Sequence, residues 1–336
     1  MATVSKPRFS SSRQSADNSL PYRSPRRSKP AERRKGQAGM ALWFLGLCVS
    51  LLFFYIVKVF IPPAIEARSA ILIHAETGRV LYAQRADLPL PPASMAKMMT
   101  ELMVMDAVSS GRHDWNETVA VSRYAEKAPG SQVGMKSGET YTLREMFEAL
   151  IIHSANDAAI AIAEHLAGSE REFVDSMNRR AREIGLSGRT VFANASGLTA
   201  KDLSGFPEAA SEGETVMTAR DAAMLARWLL QNYPDVVEVT SKRDLSIPQK
   251  GISLHTTNLM LPGEPYAYDG SDGFKTGYTR SAGYCFTGTA ARNGVRLISV
   301  VLGTGHAEQR FTETQKLMDY GFRRQNAILG LFSIHI

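Results

Sequence analysis

The 336-residue chain holds only two cysteines, Cys48 and Cys285. The first lies in an apolar run and the second in a stretch that reads as a strand, so they do not pair with each other and no disulfide framework supports the fold. The seven histidines show no His-Glu-x-x-His motif and no clustered Cys/His spacing. That excludes the common zinc-peptidase patterns, and neither a metal nor an organic cofactor is expected. No internal repeat recurs, and the length suffices for one large domain or two.

A net positive charge is also missing from most of the chain, although the whole carries +6. Residues 1–39 carry ten Lys or Arg against Asp17 and Glu32, or +8, which leaves 6 minus 8, or −2, for the remainder. A nucleic-acid-binding domain would carry the positive charge on its own surface, so a nucleic-acid partner is not expected. The first 39 residues are rich in Ser, Pro and Gln, have almost no large apolar side chains, and read as a disordered basic tail.

One long apolar run is present, from Ala41 to Ile61, broken only by Lys58. At 1.5 Å per residue this run spans roughly 31 Å, the thickness of a bilayer core. We expect residues 40–62 to be a transmembrane anchor, with the basic tail inside the cell and everything after Pro62 outside. The leading segment is long for a signal peptide and lacks a clean small-x-small site before Ala64, which favours an uncleaved anchor. Arg26-Arg27 and Arg33-Arg34 are not followed by the residues that a twin-arginine export signal requires.

Three short motifs stand in order: Ser94-Met95-Ala96-Lys97, Ser154-Ala155-Asn156 and Lys275-Thr276-Gly277. A serine hydroxyl needs a base within hydrogen-bond reach to act as a nucleophile, and a lysine three residues on along a helix lies one turn away on the same face. Ala93, Met95, Ala96, Met98, Met99, Leu102 and Met103 surround Lys97 with apolar side chains, a setting that disfavours its charged form. Each motif alone has an ordinary reading. Lys97 would be a snorkelling surface lysine, Ser154 to Asn156 a helix start, and Lys275-Thr276-Gly277 a plain strand with an exposed lysine. In order, the three read as a serine acyl-transfer site.

The motifs are the signature of the penicillin-interacting serine enzymes, and the sequence between them is more specific still. The stretches 69–82, 92–100, 154–158, 173–178 and 272–279 resemble the D-alanyl-D-alanine carboxypeptidases, the low-molecular-mass penicillin-binding proteins, over about Ala67 to Phe322. Two departures are visible. His74 stands where the family usually has an aspartate, and Ala195-Ser196 precedes Gly197-Leu198 where a Pro-His pair is common; neither lies in the three motifs.

Strands are expected at 69–74 and 79–84, joined by Glu76-Thr77-Gly78, and again at 273–279, 283–291 and 295–303, the last two joined by Arg292-Asn293-Gly294. Helices are expected after Ser94, at 143–153, from Asn156 to a Gly168 cap, from Glu170 to a Gly185 cap, from Thr218 with Asp221 completing a capping box, and at about 308–322. Two strands first and three last imply one mostly antiparallel sheet closed by both chain ends. The resemblance implies the same α/β fold, that of the transpeptidases and serine β-lactamases: five strands with helices on both faces plus an all-helical lobe. The expected domain spans 66–325, with 326–336 as a tail. Many relatives add a C-terminal β domain and an amphipathic anchor; the sequence ends before either, and the N-terminal helix is expected to replace the anchor.

The resemblance assigns roles. Ser94 is the nucleophile and Lys97 its base, Ser154 relays the proton, Asn156 holds the substrate amide and Lys97, and Lys275 and Thr276 bind a terminal carboxylate. Gly277 admits the substrate backbone, and the backbone N–H groups of Ser94 and Tyr278 form the oxyanion hole. The implied activity is removal of the terminal D-alanine from peptidoglycan stem pentapeptides through an acyl-enzyme, with β-lactams as covalent inhibitors, at the outer face of the inner membrane. Three other readings stay open: a D,D-endopeptidase of cross-links, a serine β-lactamase and a non-catalytic wall binder. A β-lactamase needs a Glu-x-x-Leu-Asn loop, and none of Glu208, Glu212 and Glu214 begins one. A degenerate binder should have lost part of a set that is complete here.

Overall fold

A computed structural model describes residues 33–211 and 213–333, without the side chains of 33–38, 52, 56, 58 and 328–333. The expected tail therefore lies outside the described residues up to residue 32, as do Glu212 and residues 334–336. The chain divides into two units, Met1–Tyr55 and Ile56–Ile336.

The described part of the first unit belongs to one helix, α1 (Arg33–Phe60), which starts inside the segment expected to be disordered. Leu42, Trp43, Phe44, Phe53 and Phe54 are each more than 60% exposed. Among the described residues no helix is long and apolar enough to cross a membrane. The side chains of Leu52, Ile56 and Lys58 in α1 fall outside that description.

The second unit contains the remaining elements. Its strands are β1 (Ser69–His74), β2 (Val80–Gln84), β3 (Thr118–Ala120), β4 (Thr140–Thr142), β5 (Asp244–Ile247), β6 (Ile252–His255), β7 (Ser271–Thr279), β8 (Gly283–Arg292) and β9 (Val295–Thr304). Its helices are α2 (Lys97–Ser109), α3 (Arg123–Glu126), α4 (Leu143–Glu148), α5 (Asn156–Ala167), α6 (Glu170–Glu183), α7 (Ala200–Leu203), α8 (Ala219–Asn232), α9 (Val236–Thr240) and α10 (Gln309–Ser333). Five strands form the main sheet in the order β2-β1-β9-β8-β7, every neighbouring pair antiparallel. The tight β8–β9 turn follows from Asn293 and Gly294, both at positive φ (49° and 76°), the left-handed pair that matches strand twist.

Alternation along the strands gives the sheet two apolar faces. Ile71 and Ile73 of β1, with Ile298, Val300 and Leu302 of β9, pack into one core with α2 and α8. Ala70, Leu72, Leu297 and Val301 face the other way and are covered by Phe311, Leu317 and Met318 of α10. A third core, built on α4, α5 and the π-helical turn Ala149–His153, is the helical lobe. The antiparallel pair β3–β4, with α3 between its strands, and the hairpin β5–β6 belong to this part of the chain and have no counterpart in the expected elements.

Two expectations need correction. The terminal helix does not stop near residue 322 but continues to Ser333, taking in most of the expected tail. At α8, Thr218 Oγ1 accepts from Asp221 N at 3.0 Å, but the Asp221 carboxylate does not return to the Thr218 backbone, whose N–H goes to Thr190 Oγ1. The carboxylate instead accepts from Ser187 N, Ser187 Oγ, Thr190 Oγ1 and Thr218 Oγ1 at 3.0, 2.6, 2.6 and 2.8 Å. Asp221 thus ties the 187–190 segment to α8 as well as capping it. Replacing it by alanine leaves buried hydroxyls without an acceptor. Asp221→Ala should therefore cost about 3 kcal/mol or more, given that hydrogen bonds to a charged group contribute about 1.5–3 kcal/mol each. A denaturant titration followed by far-UV circular dichroism measures the loss.

Candidate active site

Ser94 lies in the 3-10 turn Ala93–Ala96, which runs directly into α2 at Lys97. Ala93 is held at φ 50°, in the left-handed region where a non-glycine residue is strained. Two glycines press against this turn. At Gly197 (φ +78°) an added Cβ would sit 2.1 Å from the Ala93 carbonyl oxygen. At Gly277 it would sit 2.6 Å from the Pro92 carbonyl oxygen and 3.2 Å from the Ser94 nitrogen. Gly277 is thus required for β7 to reach the nucleophile's own backbone, a role beyond admitting substrate. The same closeness sets Ser94 N–H beside the residue preceding Tyr278, where the oxyanion hole was expected.

The Lys97 side chain is fully buried. Its Nζ lies 3.0 Å from Ser94 Oγ, 2.6 Å from Asn156 Oδ1 and 2.7 Å from the Ser196 carbonyl oxygen. Desolvation, followed by repulsion from Lys275, lowers its pKa well below the usual lysine value, and Asp157 only partly opposes this. The three neighbours explain what the neutral amine would do. Asn156 Oδ1 and the Ser196 carbonyl can only accept, so they take its two hydrogens and leave the lone pair for the Ser94 hydroxyl.

Ser196 was noted in the sequence only as a departure lying apart from the motifs, yet its carbonyl touches the lysine. Its segment is fixed from two directions. Asn194 Oδ1 accepts from the backbone N–H groups of Ser196 (3.2 Å) and Gly197 (2.6 Å), and buried Glu170 accepts from Ala195 N at 3.0 Å. The contact is made by backbone, so side-chain motif reading had no signal for it.

Ser154 ends the π-helical turn with φ 64°, and Ala155, which makes no side-chain cap, precedes α5. The motif does open a helix, with Asp157 in its first turn, but no Ser or Asn side chain caps it. Asn156 instead spans the site: its Nδ2 donates to the Pro129 carbonyl at 2.6 Å while Oδ1 faces Lys97. Asp157, which sequence reading treated as a favourable charge at the helix start, accepts from Val133 N, Gly134 N and Met135 N at 3.1, 2.9 and 3.2 Å. It holds the 129–135 loop over the motif.

A cleft of about 980 Å³ opens in front of these groups. Ser94, Ser154, Asn156, Thr276, Gly277 and Tyr278 line it. Lys97 and Lys275 are buried, outside its lining. Lys275 Nζ donates to the Thr276 carbonyl at 3.1 Å, and burial pushes its pKa down to about 7 against the opposing influence of the nearby Glu101 carboxyl. Glu101 is itself buried, pushed up to about 8 by desolvation and eased by Lys275. Thr276 Oγ1 and Thr257 Oγ1 pair at 2.6 Å on the wall. Arg310, in the first turns of α10, also lines the cleft and reaches the Gly277 carbonyl at 3.4 Å. Glu101 and Arg310 were not read from the sequence: one looks like any helical glutamate and the other lies 33 residues beyond Gly277.

Fold and site together define the serine acyl-transfer class in which a lysine serves as base. Comparison with known proteins narrows this. The family described as D-alanyl-D-alanine carboxypeptidase matches residues 57–306. The D-alanyl-D-alanine carboxypeptidase DacF of Bacillus subtilis is 37% identical over 260 residues, which cover 76% of this chain and 62% of that protein. Among solved structures, a peptidoglycan synthesis regulatory factor (PBP3) from Streptococcus pneumoniae superposes with a TM-score of 0.72 at 36% identity, covering 77% of this chain and 74% of that one. Penicillin-Binding Protein D2 from Listeria monocytogenes in a cefotaxime-bound form gives 0.69 at 36% identity, covering 78% and 99%. The chain belongs to the D-alanyl-D-alanine carboxypeptidase family. It spans a little over three fifths of the length of DacF and of the Escherichia coli D-alanyl-D-alanine carboxypeptidases DacC and DacA.

Two outcomes follow from the geometry. Gly277→Ala should push β7 off the Ser94 turn and slow acylation by a fluorescent penicillin about 10²-fold, the scale of a 1 Å misplacement. Glu101→Gln removes the coulombic support that the ionised form of Glu101 gives to charged Lys275, so the Lys275 pKa falls and any alkaline limb of kcat/KM that requires its charge moves to lower pH. A pH profile of the variant checks the direction.

Proposed function

We propose that this protein is a serine-type D-alanyl-D-alanine carboxypeptidase, removing the terminal D-alanine of peptidoglycan stem pentapeptides. The observation that carries the reading is the buried Lys97 amine, whose hydrogens have acceptors in Asn156 and Ser196 and whose remaining valence faces Ser94 Oγ at 3.0 Å. In this mechanism Ser94 Oγ attacks the carbonyl between the two D-alanines while Lys97 takes its proton. The Ser94 and Tyr278 backbone N–H groups receive the developing oxyanion. Ser154 passes a proton to the leaving amine, D-alanine departs, and water hydrolyses the acyl-enzyme. β-Lactams acylate the same serine and leave slowly, consistent with the antibiotic named in the bound form of the Listeria relative.

The free carboxylate of the substrate is matched by the Thr276 hydroxyl and the Arg310 guanidinium at the cleft surface, with the Lys275 charge behind them. That favours an exopeptidase over the cross-link endopeptidase. The catalytic domain, expected at residues 66–325 and continuing in α10 to Ser333, is proposed to lie outside the cell, with α1 as a single-pass anchor in the inner membrane. Support for the anchor is the 41–61 run, the +8 charge of the preceding tail and the exposed apolar side chains of α1.

Ser94→Ala should abolish covalent penicillin labelling and reduce turnover about 10⁶-fold. Amidating the terminal carboxylate of the pentapeptide should cost roughly 10- to 150-fold in kcat/KM, from about 1.5–3 kcal/mol per charge-assisted hydrogen bond. Ready cleavage of cross-linked dimers with monomeric pentapeptide left intact would establish the endopeptidase instead. For topology, residues 1–39 should resist external protease in intact cells, and trimming of that tail from outside would refute the anchor.

A further inference from the structure

Away from the cleft, the fold gathers three side chains that the sequence keeps apart. His113 lies four residues past α2, Glu117 just before β3, and His165 in the last turn of α5. His113 Nδ1 is 2.6 Å and His165 Nε2 2.7 Å from the same oxygen, Glu117 Oε1. The two imidazole rings meet edge to face at 5.5 Å. Among the described residues these are the only three His, Cys, Asp or Glu groups whose ligand atoms lie within 4.8 Å of one another. All three are about a quarter exposed, so solvent reaches them without unfolding.

Two imidazole nitrogens and a carboxylate oxygen are a borderline-soft set of the kind that takes zinc, with a fourth position for water. The carboxylate is already oriented, because the Asp114 backbone N–H donates to Glu117 Oε2 at 3.2 Å. Ligand atoms 2.6–2.7 Å apart need only small rotations to admit an ion with bonds of about 2.0–2.2 Å.

We propose that His113, Glu117 and His165 form a structural site for a divalent transition-metal ion, zinc being the best match. Its place in the fold gives it a task. It joins the segment leaving α2 to the end of α5, and these two helices carry Lys97 and Asn156 at their opposite ends. His165 is nine residues from Asn156, about 13 Å along a helix at 1.5 Å per residue, so the ion would brace the pair without touching the chemistry.

The test uses the full chain in mild detergent, stripped with a chelator and titrated with zinc chloride alone. One ion should bind per chain and raise the unfolding temperature by several degrees when in excess. His165→Asn and His113→Asn should each weaken binding at least about tenfold and remove that thermal gain. Fluorescent-penicillin labelling of each variant should match the parent, which shows that the protein is folded. Should one variant fail to label, the other decides, because each removes a ligand from a different segment. No stoichiometric zinc in the parent, or equal affinity in a folded variant, overturns the site and leaves a histidine–glutamate hydrogen-bond cluster.

Discussion

The account depends on how one amine is surrounded. Lys97 is fully buried, and burial penalises its charged form. Lys275 makes charging costlier still. In its neutral form the amine carries two hydrogens and one lone pair. Two oxygens that can only accept, Asn156 Oδ1 and the Ser196 carbonyl, fix where the hydrogens go. The direction of the lone pair, and so the activation of Ser94, follows from those two acceptors.

Each acceptor is delivered by a different part of the fold. Asn156 starts α5 in the helical lobe and is braced by the Pro129 carbonyl, while Asp157 beside it holds the loop above. The Ser196 carbonyl comes from a segment pinned by Asn194 and Glu170 and pressed against the Ser94 turn at Gly197. β7 closes on the same turn at Gly277. A side chain at either glycine would collide with backbone, which cannot rotate away. The serine therefore sits where sheet, lobe and a connecting segment converge, and the cleft lies in front of that junction.

Much of this was legible in the sequence because it is local. The Ser94–Lys97 spacing is one helical turn and the Asn293-Gly294 pair dictates a tight hairpin, while helices on both faces of the sheet were implied by the family resemblance. The three motifs named the site because each contributes side chains. What escaped was carried by backbone or by distant packing. The Ser196 carbonyl has no residue-type signature, Arg310 reaches the cleft only because α10 covers the sheet, and Glu101 differs from a surface glutamate only once α2 is packed. Asp221 was read as half of a local capping box, and the tertiary hydroxyls of Ser187 and Thr190 outcompeted that arrangement. His113, Glu117 and His165 were invisible for the same reason, since their spacing matches no motif until α2 and α5 lie together.

The rate of acylation by a β-lactam, measured by stopped flow as a function of pH, tests the central claim most directly. The reactive form is the neutral amine, so the rate rises as pH increases through the pKa that Lys97 has in the folded protein. If burial depresses that pKa, the rise follows loss of a single proton and reaches its plateau well below 10.5, the ordinary lysine value. A rate that still climbs about tenfold per pH unit through the ordinary lysine range would mean that Lys97 keeps an ordinary pKa, is charged at neutral pH, and is not prepared as a base by its burial.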